Sequence, residues 1–413
     1  MIRRSDIEIM APVGCYESLR AAIDSGADSV YFGIGQLNMR SASAANFTEE
    51  DMAEINSIAH AAGVKTYLTI NTVIYDTELE EMHRIVNRAA SEGVDAIIAS
   101  DMATILYAYH AGVEVHISTQ CNISNSEAAK FYSQWADVVV LARELSLEQI
   151  QAVRKAIDEQ DIRGPRGERL RIEMFAHGAL CMSISGKCYL SEHETHCSAN
   201  RGACRQICRR KYTLVDKETG ESLDTDGRYI LSPKDLCTVD FLDRFIEAGV
   251  SVLKIEGRAR GGEYVMRTVS AYDEALRAIE RGEYTPERVA ELKERLSTVF
   301  NRGFWGGYYA GKPMAEHTNS YGSSASRRKV YVGRVTNFFK KIGVAEVLIE
   351  AAELCVGDHL LWMGATTGVV EQELGEIRYE ERAVESVRQG NICSIKVEKL
   401  LHRGDKLYKE VER

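Results

Sequence analysis

Two patterns of apolar positions alternate along residues 8 to 255. Short apolar runs predict strands at Glu8–Ala11, Ser29–Phe32, Thr66–Ile70, Ala96–Ala99, Glu114–Ser118, Val138–Leu141, Arg171–Phe175 and Val252–Ile255. Between them a helical period runs through Tyr16–Ser25, Thr48–Ala62, Asp76–Glu92, Ala103–Ala111, Ser126–Trp135 and Ser146–Ile157, several opening on a Ser, Thr or Asp that can cap. Eight βα repeats around one buried parallel sheet predict an α/β chain folded as a (β/α)8 TIM-like barrel. A doubly wound open sheet is the alternative, although no G-x-G-x-x-G follows the first strand, which weakens a dinucleotide-binding reading.

Beyond the eighth strand the helical period continues at Glu263–Ile279 and Thr285–Phe300. An aromatic, glycine-rich run follows, Asn301 to Tyr309, which suits the sealing of a domain junction better than the stacking of bases, and then the polar NSYGSSASRR, a linker. After Lys329 the period changes to short alternating runs at Val330–Thr336, Ile342–Ile349, His359–Met363, Thr367–Leu374, Asn391–Val397 and Lys406–Tyr408, which predict a small all-β barrel. It is similar to the barrel domain of translation factors, and that likeness of fold raises the expectation of an RNA partner. The predicted organisation is a catalytic domain over 1–290, a helix and linker over 291–327, and a β domain over 328–413.

About 75 residues separate the seventh and eighth strands, where a βα connection usually takes about 2 to 6. This insertion, at about 178–245, holds five of the ten cysteines, and Cys181, Cys188, Cys204 and Cys208 form a C-x6-C-x15-C-x3-C pattern. Thiolates select soft or borderline metals, so the set suits an iron-sulfur cluster or a tetrahedral zinc, and the lack of tight C-x2-C knuckles favours the cluster. Gly178, Gly186 and Gly202 would let backbone pass close to such a group. Cys197 and Cys237 are alternatives to Cys208 as fourth ligand. Tyr212–Asp216 and Arg228–Leu231 predict a hairpin around KETGESLDTDG.

In a barrel of this kind the chemistry lies at the carboxyl ends of the strands. The residues just past each run are Pro12 and Gly14, Gly33, Asn71, Ser100 and Asp101, Thr119, Gln120 and Asn122, Arg143 and Glu144, His177, and Glu256 and Arg258. Together they make a polar pocket, though Ser100, Asp101 and Asn122 equally suit helix capping. His177, at the end of the seventh strand, is the stronger chemical candidate, whereas His116 lies inside its strand and suits a packed core position. Arg201, Arg205, Arg209, Arg210 and Lys211 form the densest basic patch, which Arg40, Arg258 and Arg260 extend. Such a patch neutralises an anionic cluster or receives phosphate or carboxylate.

Composition narrows the classes. Net charge is −10 and the pI near 5.6, against a non-specific nucleic-acid binder. No run of about 18 apolar residues occurs, so the chain is expected in the cytoplasm with no membrane partner, where ten cysteines belong to metal or redox chemistry rather than disulfides. Neither H-E-x-x-H nor G-x-S-x-G is present, so the sequence lacks those two hydrolase signatures.

Glu173, Phe175, Gly178 to Cys181, Gly186, Cys188, Leu190 and Ser191, then Asn200 to Cys204, Cys208-Arg209, Ser232 to Leu236 and Lys254 to Arg258 resemble the signature of the collagenase-like peptidase family U32 over most of residues 7 to 310. The resemblance implies an oxygen-independent hydroxylase with a 4Fe-4S cluster, acting on the wobble uridine of tRNA, on a ribosomal RNA cytidine or on a quinone precursor, more than it implies proteolysis. It makes Cys181, Cys188, Cys204 and Cys208 the cluster ligands. Members that modify tRNA draw the hydroxyl from prephenate, a dicarboxylate that Arg143, Arg258 or the arginines near Cys204 can bind. The catalytic set expected on this basis is His177, Glu256, Arg258 and Arg143. Substrate contacts fall to Arg40, Asn71, Gln120, Arg201, Arg205 and Arg209.

Overall fold

Eight parallel strands pair in sequence order: β1 (Glu8–Pro12), β2 (Ser29–Gly33), β3 (Lys65–Ile70), β4 (Ala96–Ala99), β5 (Glu114–Ile117), β6 (Val138–Val140), β7 (Arg171–Gly178) and β8 (Val252–Ile255). β8 pairs with β1 on one side and with β7 on the other, which closes the barrel and rules out the open sheet. This computed structural model describes residues 2–42, 46–223, 229, 231–311 and 316–413. The strands are apolar almost throughout because both faces are covered. One set of alternate residues, including Ile9, Phe32, Leu68, Ile97 and Val115, packs beneath the helices. The other fills the barrel with Met10, Tyr31, Tyr67, Ile98, Val138 and Val252, and among these stand the buried ionisable residues Glu8, His116, Glu173 and Lys254.

The insertion departs from expectation. β7 runs past Phe175 to Gly178 because its end pairs antiparallel with Asp235–Cys237, a three-residue strand that no hydrophobic run announces. His177 therefore lies inside a strand, paired with Cys237, and not beyond its end. The hairpin pairs Leu214–Val215 with Ser222–Leu223 around a tight turn at Asp216–Gly220, shorter than expected. The expected second arm falls largely outside the described residues, since Arg228 and Ile230 are not among them.

The helix Pro286–Ser297 straddles the expected boundary at 290. The aromatic run after it does seal a junction: Trp305 Nε1 donates to the Lys234 carbonyl at 3.1 Å and Tyr309 OH to the Phe175 carbonyl at 2.7 Å. The polar segment behind it is no free linker. Backbone bonds tie Thr318 to Ser232, Ser324 to Asn301 and Ser326 to Ser297.

From Arg327 the chain forms an eight-stranded antiparallel sheet around one core that includes Val332, Val347, Trp362 and Leu407. Its two end strands, Gly368–Glu373 and Arg382–Val384, are not paired with each other, so it is a curled sheet rather than a closed barrel. It docks on the catalytic domain through Leu361, Met363 and Val369 against Ala21 of the helix Tyr16–Asp24. Beside that contact, Arg267 of the helix Gly262–Arg281 reaches Glu371 and Glu410.

Candidate active site at the barrel mouth

β8 carries Lys254 and Glu256 two residues apart, so both face inward, as strand alternation requires. Lys254 Nζ donates to Glu173 Oε1 at 2.6 Å and lies 4.7 Å from the centre of the Tyr31 ring. Glu256 accepts from Arg40 through Nε at 3.0 Å and through Nη2, and from Tyr31 OH at 3.2 Å. Burial alone would raise the Glu256 carboxyl, but the Arg40 and Arg258 guanidiniums outweigh it and hold the group below its usual range. Arg258 is buried, and burial pulls its guanidinium down to about 10. Its Nη1 donates to Thr69 Oγ1 at 3.0 Å, while its Nε has no partner among the described residues. A side chain at Gly33 would overlap Arg258 Nη1, so glycine there lets the guanidinium cross the end of β2.

The walls come from the ends of β3, β5 and β6. Asn71 Nδ2 donates to Ser118 Oγ at 3.3 Å, its Oδ1 accepts from the Met39 backbone, and Ser118 bonds to Gln120. Arg143, 9% exposed, stacks 5.4 Å from the Phe175 ring centre and makes no hydrogen bond or ion pair with the described residues. Arg260 likewise rests on a ring, 3.4 Å from the centre of Phe300, with its guanidinium free of such bonds.

The insertion forms the roof. Cys181, Cys188, Cys204 and Cys208 all face the same cavity of about 630 Å3 as Asn71, Gln120, Arg143, Lys254, Glu256 and Arg258. Burial pushes the Cys208 thiol up to about 11, with Arg209 opposing and the other three thiols adding to the rise, so the four sulfurs sense one another. Cys237 is buried against Tyr272 in the core and Cys197 lies beside Arg205; neither faces the cavity. Among the described residues no three His, Cys, Asp or Glu side chains stand close enough to hold a single metal ion. Four thiols without a carboxylate or imidazole, spread around one space, are the donor chemistry of an iron-sulfur cluster rather than of a compact tetrahedral ion.

The other expected residues have different jobs. Arg201 leaves the cavity to bind Glu78 and the Val73 carbonyl, latching the insertion to the loop after β3. Arg205 is exposed, and Arg209 ties the insertion together through the carbonyls of Leu180, at 2.6 Å, and Pro233, at 2.7 Å. His177 does not face the cavity. It packs among Tyr264, Tyr272 and Phe304, and burial takes its imidazole down to about 3, so the ring is neutral. Asp101 caps the helix Met102–His110, accepting from the Ala103 amide at 2.9 Å. The glycines serve protein contacts: a side chain at Gly178 would strike the Glu256 carbonyl, one at Gly202 the Asn38 carbonyl, and Gly186 abuts Gln120. Sequence reasoning missed Lys254 and Arg302 as cavity residues. Lys254 was visible as the inward position two before Glu256; Arg302, which pairs with Asp235 at 3.1 Å, arrives from a remote segment without signal.

Seven cations, Arg40, Arg143, Arg209, Lys254, Arg258, Arg260 and Arg302, thus meet two carboxylates, Asp235 and Glu256, in one cavity. The family model for peptidase family U32 matches residues 14–319. The chain belongs to this family. It is 55% identical over 405 residues, covering 98% of both chains, to a protein of Porphyromonas gingivalis named collagenase. It is 33% identical to tRNA hydroxylation protein P1 of Bacillus subtilis, over 80% of this chain and 77% of that one. It is 40% identical to the 23S rRNA 5-hydroxycytidine C2501 synthase of Escherichia coli, over 67% of this chain and 40% of that one. Among the described residues no helix is long and apolar enough to cross a membrane.

Proposed function

We propose that this U32 member is an oxygen-independent RNA hydroxylase that forms 5-hydroxyuridine at the wobble position of tRNA, with a 4Fe-4S cluster held by Cys181, Cys188, Cys204 and Cys208. The observation that carries the reading is the single cavity in which four thiols face two guanidiniums, Arg143 and Arg260, that have no protein anion of their own. A buried cation left unpaired calls for an anionic ligand. Planar guanidiniums suit a dicarboxylate such as prephenate, the expected hydroxyl source, or a phosphate. The cluster would supply one-electron chemistry at the roof. Beneath it, Arg143 and Arg260 bind and orient the anion, Asn71 and Gln120 offer amides to a base, and Phe175 and Tyr31 exclude water. Glu256, kept ionised by Arg40 and Arg258, accepts a proton at Oε2.

The identity to a protein named collagenase supports a peptidase as the competing reading. Among the described residues the hydroxyl–imidazole hydrogen bond is Thr367 Oγ1 to His402 Nδ1, 2.9 Å, in the β domain, with Asp405 bound to the hydroxyl and Thr367 buried. That order cannot activate a nucleophile through histidine. The test is mass spectrometry of nucleosides from a deletion strain, alongside iron and sulfide analysis of anaerobically purified protein. Loss of 5-hydroxyuridine from tRNA and about four irons with sulfide support the proposal. Unchanged RNA, with gelatin cleavage by cluster-free protein, establishes the peptidase.

A further inference from the structure

The barrel interior contains more ionisable groups than the cavity uses. Glu114 stands at the opening of β5, its side chain 15% exposed, in a groove on the face opposite the cavity together with Lys65, Asp95 and Arg166. Two residues on, His116 points into the barrel with no exposure, and its Nε2 lies 3.1 Å from Glu114 Oε1. The other ring nitrogen, Nδ1, faces Glu173 Oε2 across 3.9 Å, also without exposure. Glu173 Oε1 then bonds Lys254 Nζ at 2.6 Å, and Lys254 lines the cavity. These four side chains form an unbroken file of titratable groups from solvent at one end of the barrel to the chemical site at the other.

Two atoms in the file stand out. His116 Nδ1 and Glu173 Oε2 are buried and have no hydrogen-bond partner among the described residues, yet they face each other. An ion-pair network kept only for stability has every reason to close that gap, because a buried unmatched polar atom costs about 1–3 kcal/mol. One mobile proton between them satisfies both when present.

We infer that Glu114, His116, Glu173 and Lys254 are a proton relay that connects the cavity to solvent through the barrel core. The inference rests on the reading that acid–base chemistry takes place in the cavity. When the Lys254 ammonium gives a proton to a group there, it is left as an amine and regains a proton from Glu173. Glu173 is resupplied from His116 Nδ1, and His116 takes a proton at Nε2 from Glu114, which takes one from water. One proton enters at Glu114 and one leaves at Lys254; no bond between heavy atoms changes. The relay gives the site a proton supply that stays open while a large substrate covers the mouth.

The ring of His116 is faced by Glu114 on its own strand, by Glu173 on β7, and by Tyr67 on β3 at 4.6 Å between ring centres. Glu8 on β1 and Asp137 before β6 lie within its electrostatic reach. The test uses full-length holoprotein labelled with 15N-histidine. In the wild type, nuclear magnetic resonance should show an Nδ1 proton on His116 shared with a carboxylate, lost in Glu173→Gln and shifted in Glu114→Gln, with the circular dichroism unchanged. A bare Nδ1 at every pH at which the protein is folded overturns the relay. In the second arm, Glu114→Gln should lower kcat for RNA hydroxylation about 10²-fold with KM unchanged and a larger solvent deuterium isotope effect. An unchanged kcat in a hydroxylating enzyme also overturns the relay. Wild type without hydroxylase activity removes the hydroxylase reading instead, and the resonance arm still decides the connection.

Discussion

At the scale of single residues, the two depressed groups in the core set the acid limit of the fold. His177 has a folded pKa of about 3 against 6.5 when free, and Glu8 about 2 against 4.5, burial opposing and Arg171 and Tyr67 prevailing. Both folded values lie below the unfolded ones, so each group contributes stability that is complete above its unfolded pKa and falls as the pH drops toward the folded one. His177 acts between pH 6.5 and 3, and Glu8 between 4.5 and 2. In His177→Phe, denaturant titrations should give similar stability at neutral pH and a shallower loss between pH 6.5 and 4.5, by on the order of 2 kcal/mol. An identical slope in both proteins would mean that the imidazole is already charged or solvated. Glu256, Arg258, Asn71, Gln120 and Arg143 were legible as site residues because position past a barrel strand predicts exposure to the mouth. The same rule misplaced His177, because the antiparallel partner at Asp235–Cys237 extends β7 beyond the point where its apolar run ends.

Elements explain which parts of the insertion were legible. The cysteine spacing located the insertion, and the structure brings the four thiols to one cavity, but their supports come from afar: Arg201 from Glu78, Gly202 from Asn38. Such long-range contacts leave no local period. Gly202 has φ +79°, and a side chain there would overlap the Asn38 carbonyl, so Gly202→Ala combines backbone strain with a collision. The expected cost is at least about 2 kcal/mol, confined to the seating of the insertion. Hydrogen exchange should rise through residues 180–210 while the strands of the barrel keep their protection. Equal protection in both proteins would show that the roof does not depend on this close approach. A milder effect of the same kind is expected from Arg201→Ala, which removes the latch without a collision.

For the whole molecule, the question is whether the two domains behave as one. Sequence pattern separated them correctly at about residue 328, since the period changes from helical to alternating there, but it could not show that they are docked. The docking rests on a side chain in the helix Gly262–Arg281, whose outward face looks like any other charged helix surface. Arg267 is 5% exposed and binds Glu371, and also Glu410 through Nη1 at 2.9 Å and Nη2 at 2.7 Å. Glu410 itself is 4% exposed, and Arg327 approaches it at 3.5 Å. Removing Arg267 leaves Glu410 buried with weaker compensation, a change that typically costs about 3–5 kcal/mol for a buried pair. That cost falls on the interface rather than on either core, because Val332, Trp362 and Leu407 belong to one cluster and the barrel residues to another. Wild-type protein should therefore melt in one transition and resist trypsin at Arg327 and Arg328, which begin a paired strand. Arg267→Met should melt in two transitions and be cut there readily, releasing the β domain, while the barrel keeps its cluster colour if the proposed cofactor is present. A single transition and intact linker in the variant would show that the apolar contact of Leu361, Met363 and Val369 with Ala21 suffices to hold the domains together.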